Sequence, residues 1–195
     1  CGGKDANIVI IPTASQLEDT GERYEKIFEE LGAGYTFSLP ITKRTDAKNE
    51  DLLKHLDVAT GIFITGGNQL RLSTILGGTP VAQAIRRQNA KGTHVAGTSA
   101  GAAIISQHMI IGGSTGIVPT EDGVNLAPGL GLNNQLVIDQ HFNQRNRLSR
   151  LLTAVSYNPF LIGIGLDEDT AIFINEDNVF EVVGSGSVTV IDPSD

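Results

Sequence analysis

The sequence has no tryptophan, one methionine and a single cysteine among its 195 residues. Cys1 alone cannot close an internal disulfide, so the fold must rest on a buried core and not on a covalent framework. The same scarcity excludes thiolate metal centres: there is no C-x-x-C pair, and the four histidines lack H-E-x-x-H spacing. No G-x-x-x-x-G-K phosphate loop occurs, and neither a metal nor a cofactor is expected. Positive charge is also in short supply, with 14 Lys and Arg against 22 Asp and Glu and a formal net charge of −8. Such a chain repels polyanions, which argues against non-specific nucleic-acid binding. No apolar run approaches the roughly 20 residues that cross a bilayer, so no membrane partner is expected. The chain opens without a signal-peptide pattern, and a cytoplasmic location is the expectation. Its first residue is not methionine, which leaves a secreted form compatible.

What is present is ordinary for a globular protein: 40% hydrophobic residues, 18% charged and 23 glycines. A length of 195 residues suits one domain over 1–195 with a substantial core.

Asn7–Ile11 is a continuous apolar run ended by Pro12, as a strand covered on both faces would be. Leu17, Tyr24, Ile27, Phe28 and Leu31 recur at helical spacing, with Gly32 as the stop. Tyr35, Phe37 and Leu39 alternate as a second strand, and residues 49–56 form a short helix. Gly61–Thr65 is an apolar strand running into Gly66-Gly67-Asn68-Gln69, and a helix follows. Thr79-Pro80 opens another helix with an N-cap threonine and proline in the first turn. Thr93–Ala96 reads as a buried strand. Repeated strand–helix alternation predicts an α/β fold: a three-layer sandwich around a mostly parallel sheet. Residues 110–134 read as a long loop. Leu136–Ile138 is a further strand, Leu148, Leu151, Leu152 and Val155 face one side of a helix, and residues 161–191 are strand-rich and hairpin-like.

Chemistry concentrates at strand ends. Gly97-Thr98-Ser99-Ala100-Gly101 lies between a strand and a helix, which is the nucleophile-elbow pattern. The turn strains the serine backbone, and flanking glycines relieve the crowding. It also aims Ser99 at a helix N-terminus, where Ala100 N–H can meet an oxyanion; Gly67 N–H is the expected second donor. A serine needs a base. Of the four histidines only His141 directly follows a buried strand with polar neighbours, Asp139 and Gln140. The base needs an orienting acceptor, and Asp167, Glu168 and Asp169 follow the strand at 161–165. Any of the three could serve.

Residues 62–69, residues 97–102 and the stretch D-Q-H-F-x-x-R-x-R-x-x-R-L from Asp139 to Leu151 together resemble the cyanophycinases. These belong to the serine peptidase family that also contains dipeptidase E. The resemblance implies a fold similar to class I glutamine amidotransferase domains, and Ser99 as nucleophile, His141 as base and Glu168 as acid. It implies hydrolysis of cyanophycin, a poly-aspartate bearing arginines, to β-aspartyl-arginine dipeptides. It also implies a glycine-rich strand before Ile8 and a stretch after Val190, neither found in these residues. A homodimer stays open.

Asn68, Gln69, Asp139, Gln140, Arg145, Arg147 and Arg150 are the expected substrate contacts. On an ideal helix at about 100° per residue, Arg145 and Arg147 flank the apolar face and Arg150 points away. The guanidinium fork suits the carboxylates of an aspartate-rich substrate. Two alternatives compete: an α-aspartyl dipeptidase of the same family, and a non-catalytic binding domain on this fold.

Overall fold

Strand β1 (Asn7–Ile11) lies inside a four-stranded sheet. Its apolar residues face both ways: Ile8 and Ile10 meet one layer of side chains, while Val9 and Ile11 are buried on the other. Period-two alternation with both faces apolar is what a strand between two helical layers needs. β2 (Tyr35–Ser38), β3 (Gly61–Ile64) and β4 (His94–Gly97) complete the sheet in the order β2-β1-β3-β4, every neighbour parallel. The structure is a computed structural model and describes residues 1–194.

The chain divides into two compact units, Cys1–Ile105 with Pro128–Leu132, and Ser106–Ala127 with Asn133 onward. In the first, α1 (Thr20–Glu30) presents Tyr24 and Phe28 to Phe63, with ring centroids 5.1 and 5.2 Å apart. The helix is shorter than its periodicity predicts, and Leu17 and Leu31 are exposed because they lie outside it. α2 (Glu50–Asp57) is capped by the Asn49 side chain. α3 (Gln69–Leu76) and α4 (Pro80–Ala90) follow β3; Thr79 Oγ1 accepts from Ala82 N at the start of α4, as expected of Thr-Pro. β4 is not buried as its sequence predicts. It lies at the end of the sheet order, with His94 and Ala96 exposed. Four residues are too few for composition to separate an edge strand from an inner one.

In the second unit, β7 (Leu136–Gln140) pairs in parallel with β8 (Ile162–Leu166), and β11 (Val188–Ile191) pairs antiparallel with β8. α6 (Leu148–Tyr157) packs Leu151, Ala154 and Val155 into a core with Val137 and Phe142. Each fully buried aliphatic side chain contributes about 1.5–3 kcal/mol. β9 (Thr170–Ile174) and β10 (Phe180–Gly184) form the expected hairpin around residues 175–178. The expected loop over 110–134 is wrong. It contains β5 (His108–Gly113) and β6 (Val124–Pro128), which pair as a two-stranded sheet. Three glycines in residues 112–116 hide the strand signal.

Candidate active site

In the first unit, register assembles the site. Ile64 of β3 pairs with Gly97 of β4, so Gly66 and Ser99 each fall two residues beyond a matched pair. A Cβ on Gly66 would lie 3.1 Å from the Ser99 Cβ. Ser99 has φ 53 and ψ −112, and leads into the single turn α5 (Ala100–Ala103). That backbone costs a non-glycine residue on the order of 1–3 kcal/mol and persists only where the surroundings over-determine it. The surroundings do so: a Cβ on Gly101 would lie 2.0 Å from the Ile64 carbonyl oxygen.

The strand order reverses direction between β1 and β3, and in open α/β sheets ligands bind at that reversal beyond the carboxyl ends. The two loops there touch. Gly67, at φ 145, lies so close that a Cβ would fall 2.1 Å from the Ala14 carbonyl oxygen. Among the described residues, neither Gly67 N–H nor Ala100 N–H donates a hydrogen bond within the protein. Asn68 caps α3, its Oδ1 accepting from Arg71 N at 2.8 Å, and half-buried Gln69 opens that helix.

The second unit repeats the logic. Gln140 of β7 pairs with Leu166 of β8, so His141 and the acidic turn leave parallel strands side by side. His141 Nδ1 lies 2.7 Å from Glu168 Oε1. The segment 141–144 is fastened along the strand that carries this acid. Phe142 N donates to the Leu166 carbonyl at 3.0 Å, and Glu168 N donates to Gln144 Oε1 at 3.2 Å. The Phe142 ring lies over Gly165, where a Cβ would meet ring atoms at 2.6 Å.

The three acids are sorted by their partners. Asp167 accepts from Asn143 N at 3.0 Å, Asn143 Nδ2 at 2.9 Å and Ser187 N at 3.1 Å. Burial alone would raise its pKa, but the donors from Asn143 and Ser187 outweigh it and hold the carboxyl below its ordinary value. Asp169 accepts from Ser185 Oγ at 2.6 Å. Glu168 is the acid on His141.

The expected substrate contacts separate. Arg145 is exposed. Asp139, Gln140, Arg147 and Arg150 are buried and bonded to one another, a placement that corrects the substrate-contact expectation for these four. Arg150 Nε donates to Asp139 Oδ2 at 2.6 Å and its Nη2 to Oδ1. Arg147 Nη1 lies 3.3 Å from Asp139 Oδ1 and donates to the Gln140 carbonyl and to Gln140 Oε1. The arginines depart from regular-helix positions for a local reason. Arg145 ends a 3₁₀ turn, Arg147 precedes α6, and only Arg150 lies within the helix.

Asn143, Gln144 and Gly165 escape the sequence reading. Gly165 had a signal, since a glycine inside a strand often marks close approach of another group. The two amides had none. Among the described residues, no group of three or more His, Cys, Asp or Glu is arranged to hold a metal ion. No helix is long and apolar enough to cross a membrane.

Comparison with known proteins converges on one family. A model of peptidase family S51 matches residues 1–182. The chain is 44% identical over 196 aligned residues to a cyanophycinase of Trichormus variabilis, covering all of this chain and 66% of that protein. It is 45% identical over 194 residues to a cyanophycinase of Geminocystis herdmanii, covering 98% of this chain and 71% of that one. The chain thus spans about two thirds of the length of these curated relatives. Among solved structures, a peptidase from an acI-B1 actinobacterium is similar at a TM-score of 0.74 and 27% identity, covering 95% of this chain and 78% of that one. With the family model matched from the first residue to residue 182, the chain belongs to peptidase family S51.

Proposed function

We propose that this chain carries the hydrolytic centre of a serine peptidase acting on cyanophycin, with Ser99 as nucleophile, His141 as base and Glu168 as acid. One observation carries the reading: the 2.7 Å contact between His141 Nδ1 and Glu168 Oε1. A carboxylate on Nδ1 holds the proton there and leaves the Nε2 lone pair to act as base. The strained backbone of Ser99, between glycines that admit no side chain, supports its role as nucleophile.

In the reaction, Ser99 Oγ attacks a backbone amide carbonyl as its proton passes to His141 Nε2. The oxyanion is met by the N–H groups of Gly67 and Ala100. The amide C–N bond breaks, the leaving amine takes the proton from His141, and an acyl-enzyme remains. Water then attacks the acyl carbon, gives a proton to His141, and Ser99 leaves with that proton restored. Glu168 accepts from His141 Nδ1–H throughout.

The cyanophycinase relatives support the substrate. Cutting the α-amide backbone while sparing the β-linked amide gives β-aspartyl-arginine. Arg145, exposed to solvent, is the proposed partner of substrate carboxylates, and Gln69 a proposed polar contact. The reading extends to a class I glutamine amidotransferase-like sandwich working as one peptidase domain, in a cytoplasmic homodimer.

A fluorophosphonate probe tests the reading, because Ser99 Oγ would displace fluoride from phosphorus as its proton passes to His141. Mass spectrometry should place the label on Ser99, and His141→Ala should slow labelling strongly. Label on another residue, or unchanged labelling of His141→Ala, contradicts the assignment.

A further inference from the structure

Asp139 is completely buried, and two guanidiniums converge on it. Arg150 engages both carboxylate oxygens, with Nε on Oδ2 and Nη2 on Oδ1, and Gln140 N donates to Oδ1 at 3.0 Å. Such a bidentate pair is the geometry that best offsets the desolvation of both ions. Arg147 is then surplus, since two cations and one anion leave one positive charge over. Burial pushes the Arg147 pKa down to about 10 against the pull of Asp139, and repulsion from Arg150 and Arg145 adds to the shift. A buried side chain that charge balance does not require should have another role.

Its remaining bonds identify that role. Arg147 Nη1 donates to both oxygens of Gln140, the carbonyl and the side-chain Oε1. The Gln140 carbonyl belongs to the peptide that leads into His141, and His141 sits at φ 52, a left-handed conformation that costs a non-glycine residue energy. Turning that peptide plane turns the His141 Cα–Cβ bond. The far side of the same segment is held independently, where Arg147 N donates to the Phe142 carbonyl at 3.1 Å and Arg145 N to the His141 carbonyl at 3.1 Å. Arg147 therefore grips the segment 140–142 by both its backbone and its side chain. It is 8% exposed, which leaves little of it for substrate.

We infer that Arg147 is a positioning residue for His141, seated by the Asp139–Arg150 pair and acting through the Gln140–His141 peptide. The inference rests on the reading of His141 as the base. Its role separates the three arginines: Arg150 balances charge, Arg147 aims the imidazole, and Arg145 faces solvent.

The test is Arg147→Met, which keeps side-chain length and leaves Asp139 and Arg150 as a one-to-one pair. The melting temperature should stay within a few degrees of wild type. With cyanophycin as substrate, kcat should fall by about tenfold to a hundredfold, the loss typical of a misaimed catalytic group. KM should change by less than about twofold, as for an interaction absent from substrate binding. Fluorophosphonate labelling of Ser99 should slow by the same factor as kcat, and Arg147→Lys should recover part of both. A raised KM with unchanged labelling makes Arg147 a substrate contact and overturns the inference. So does unchanged kcat in a less stable protein, or failure of both variants to fold. If His141→Ala labels as fast as wild type, the base reading fails. The His141 imidazole NMR resonance, assigned by its loss in that variant, then decides. A shift in Arg147→Met supports positioning, and an unchanged resonance overturns it.

Discussion

Asp167 accepts two hydrogen bonds from Asn143, one from the backbone at 3.0 Å and one from the side chain at 2.9 Å. The contact ties the residue before Glu168 to the second residue after His141. A carboxylate that closes a loop in this way supports the His141–Glu168 contact without joining it.

The acids should therefore respond differently to amidation. Glu168→Gln should lower kcat at least about tenfold, because a neutral glutamine amide can accept from His141 Nδ1–H but does not stabilise the imidazolium formed in the reaction. The loss should stay below the ~10⁴ seen for a buried triad acid, since the Glu168 side chain is 55% exposed and solvent can replace part of its effect. Asp169→Asn should be near neutral. Steady-state rates for the two single variants check this. A large loss at Asp169 with Glu168→Gln near normal reassigns the acid.

Asp167→Asn should cost stability in a pH-dependent way. Its folded pKa lies below the unfolded value of about 3.9, so its stabilisation is fully present above that value. It is lost as pH falls through the folded pKa. The gap in melting temperature between wild type and Asp167→Asn should be constant above about pH 5 and narrow under more acidic conditions. A gap that widens on acidification contradicts the assignment.

Gly165→Ala should damage both fold and function. The new methyl would meet the Phe142 ring at 2.6 Å, inside any permitted contact. Overpacking of this kind costs about 1–3 kcal/mol, or roughly 2–4 °C of melting temperature per kcal/mol in a domain of this size. Because Phe142 adjoins His141, kcat should fall as well. Thermal melts read beside rates would show it, and a variant with wild-type values for both removes the packing argument.

Arg145 is where substrate preference should appear. Arg145→Ala should raise KM for cyanophycin by about tenfold or more, the cost of one charge-assisted hydrogen bond, while leaving Ser99 labelling nearly unchanged. An α-aspartyl dipeptide is the comparison substrate. A wild-type preference for that dipeptide, with no effect of Arg145→Ala on cyanophycin, moves the assignment to an aspartyl dipeptidase.

Much of this was legible in the residues, and for definable reasons. β1, β3 and α4 carry strong local signals: a continuous apolar run, a second run ended by two glycines, and Thr-Pro at a helix start. Ser99 and His141 stood out because they follow strands. The choice among the acids was not legible: Asn143 and Ser187 take up Asp167, and Glu168 reaches His141. The arginines depart from ideal helical angles because a 3₁₀ turn and the residues after it precede α6. β5 and β6 were hidden because pairing with each other, more than residue preference, makes them strands.

We propose that this chain cuts cyanophycin by way of Ser99. Incubating the purified protein with insoluble cyanophycin and weighing the soluble products by mass spectrometry tests it most directly. The wild type should release β-aspartyl-arginine, and a folded Ser99→Ala variant essentially none. Free arginine as the main product, or wild-type yields of dipeptide from Ser99→Ala, would contradict it.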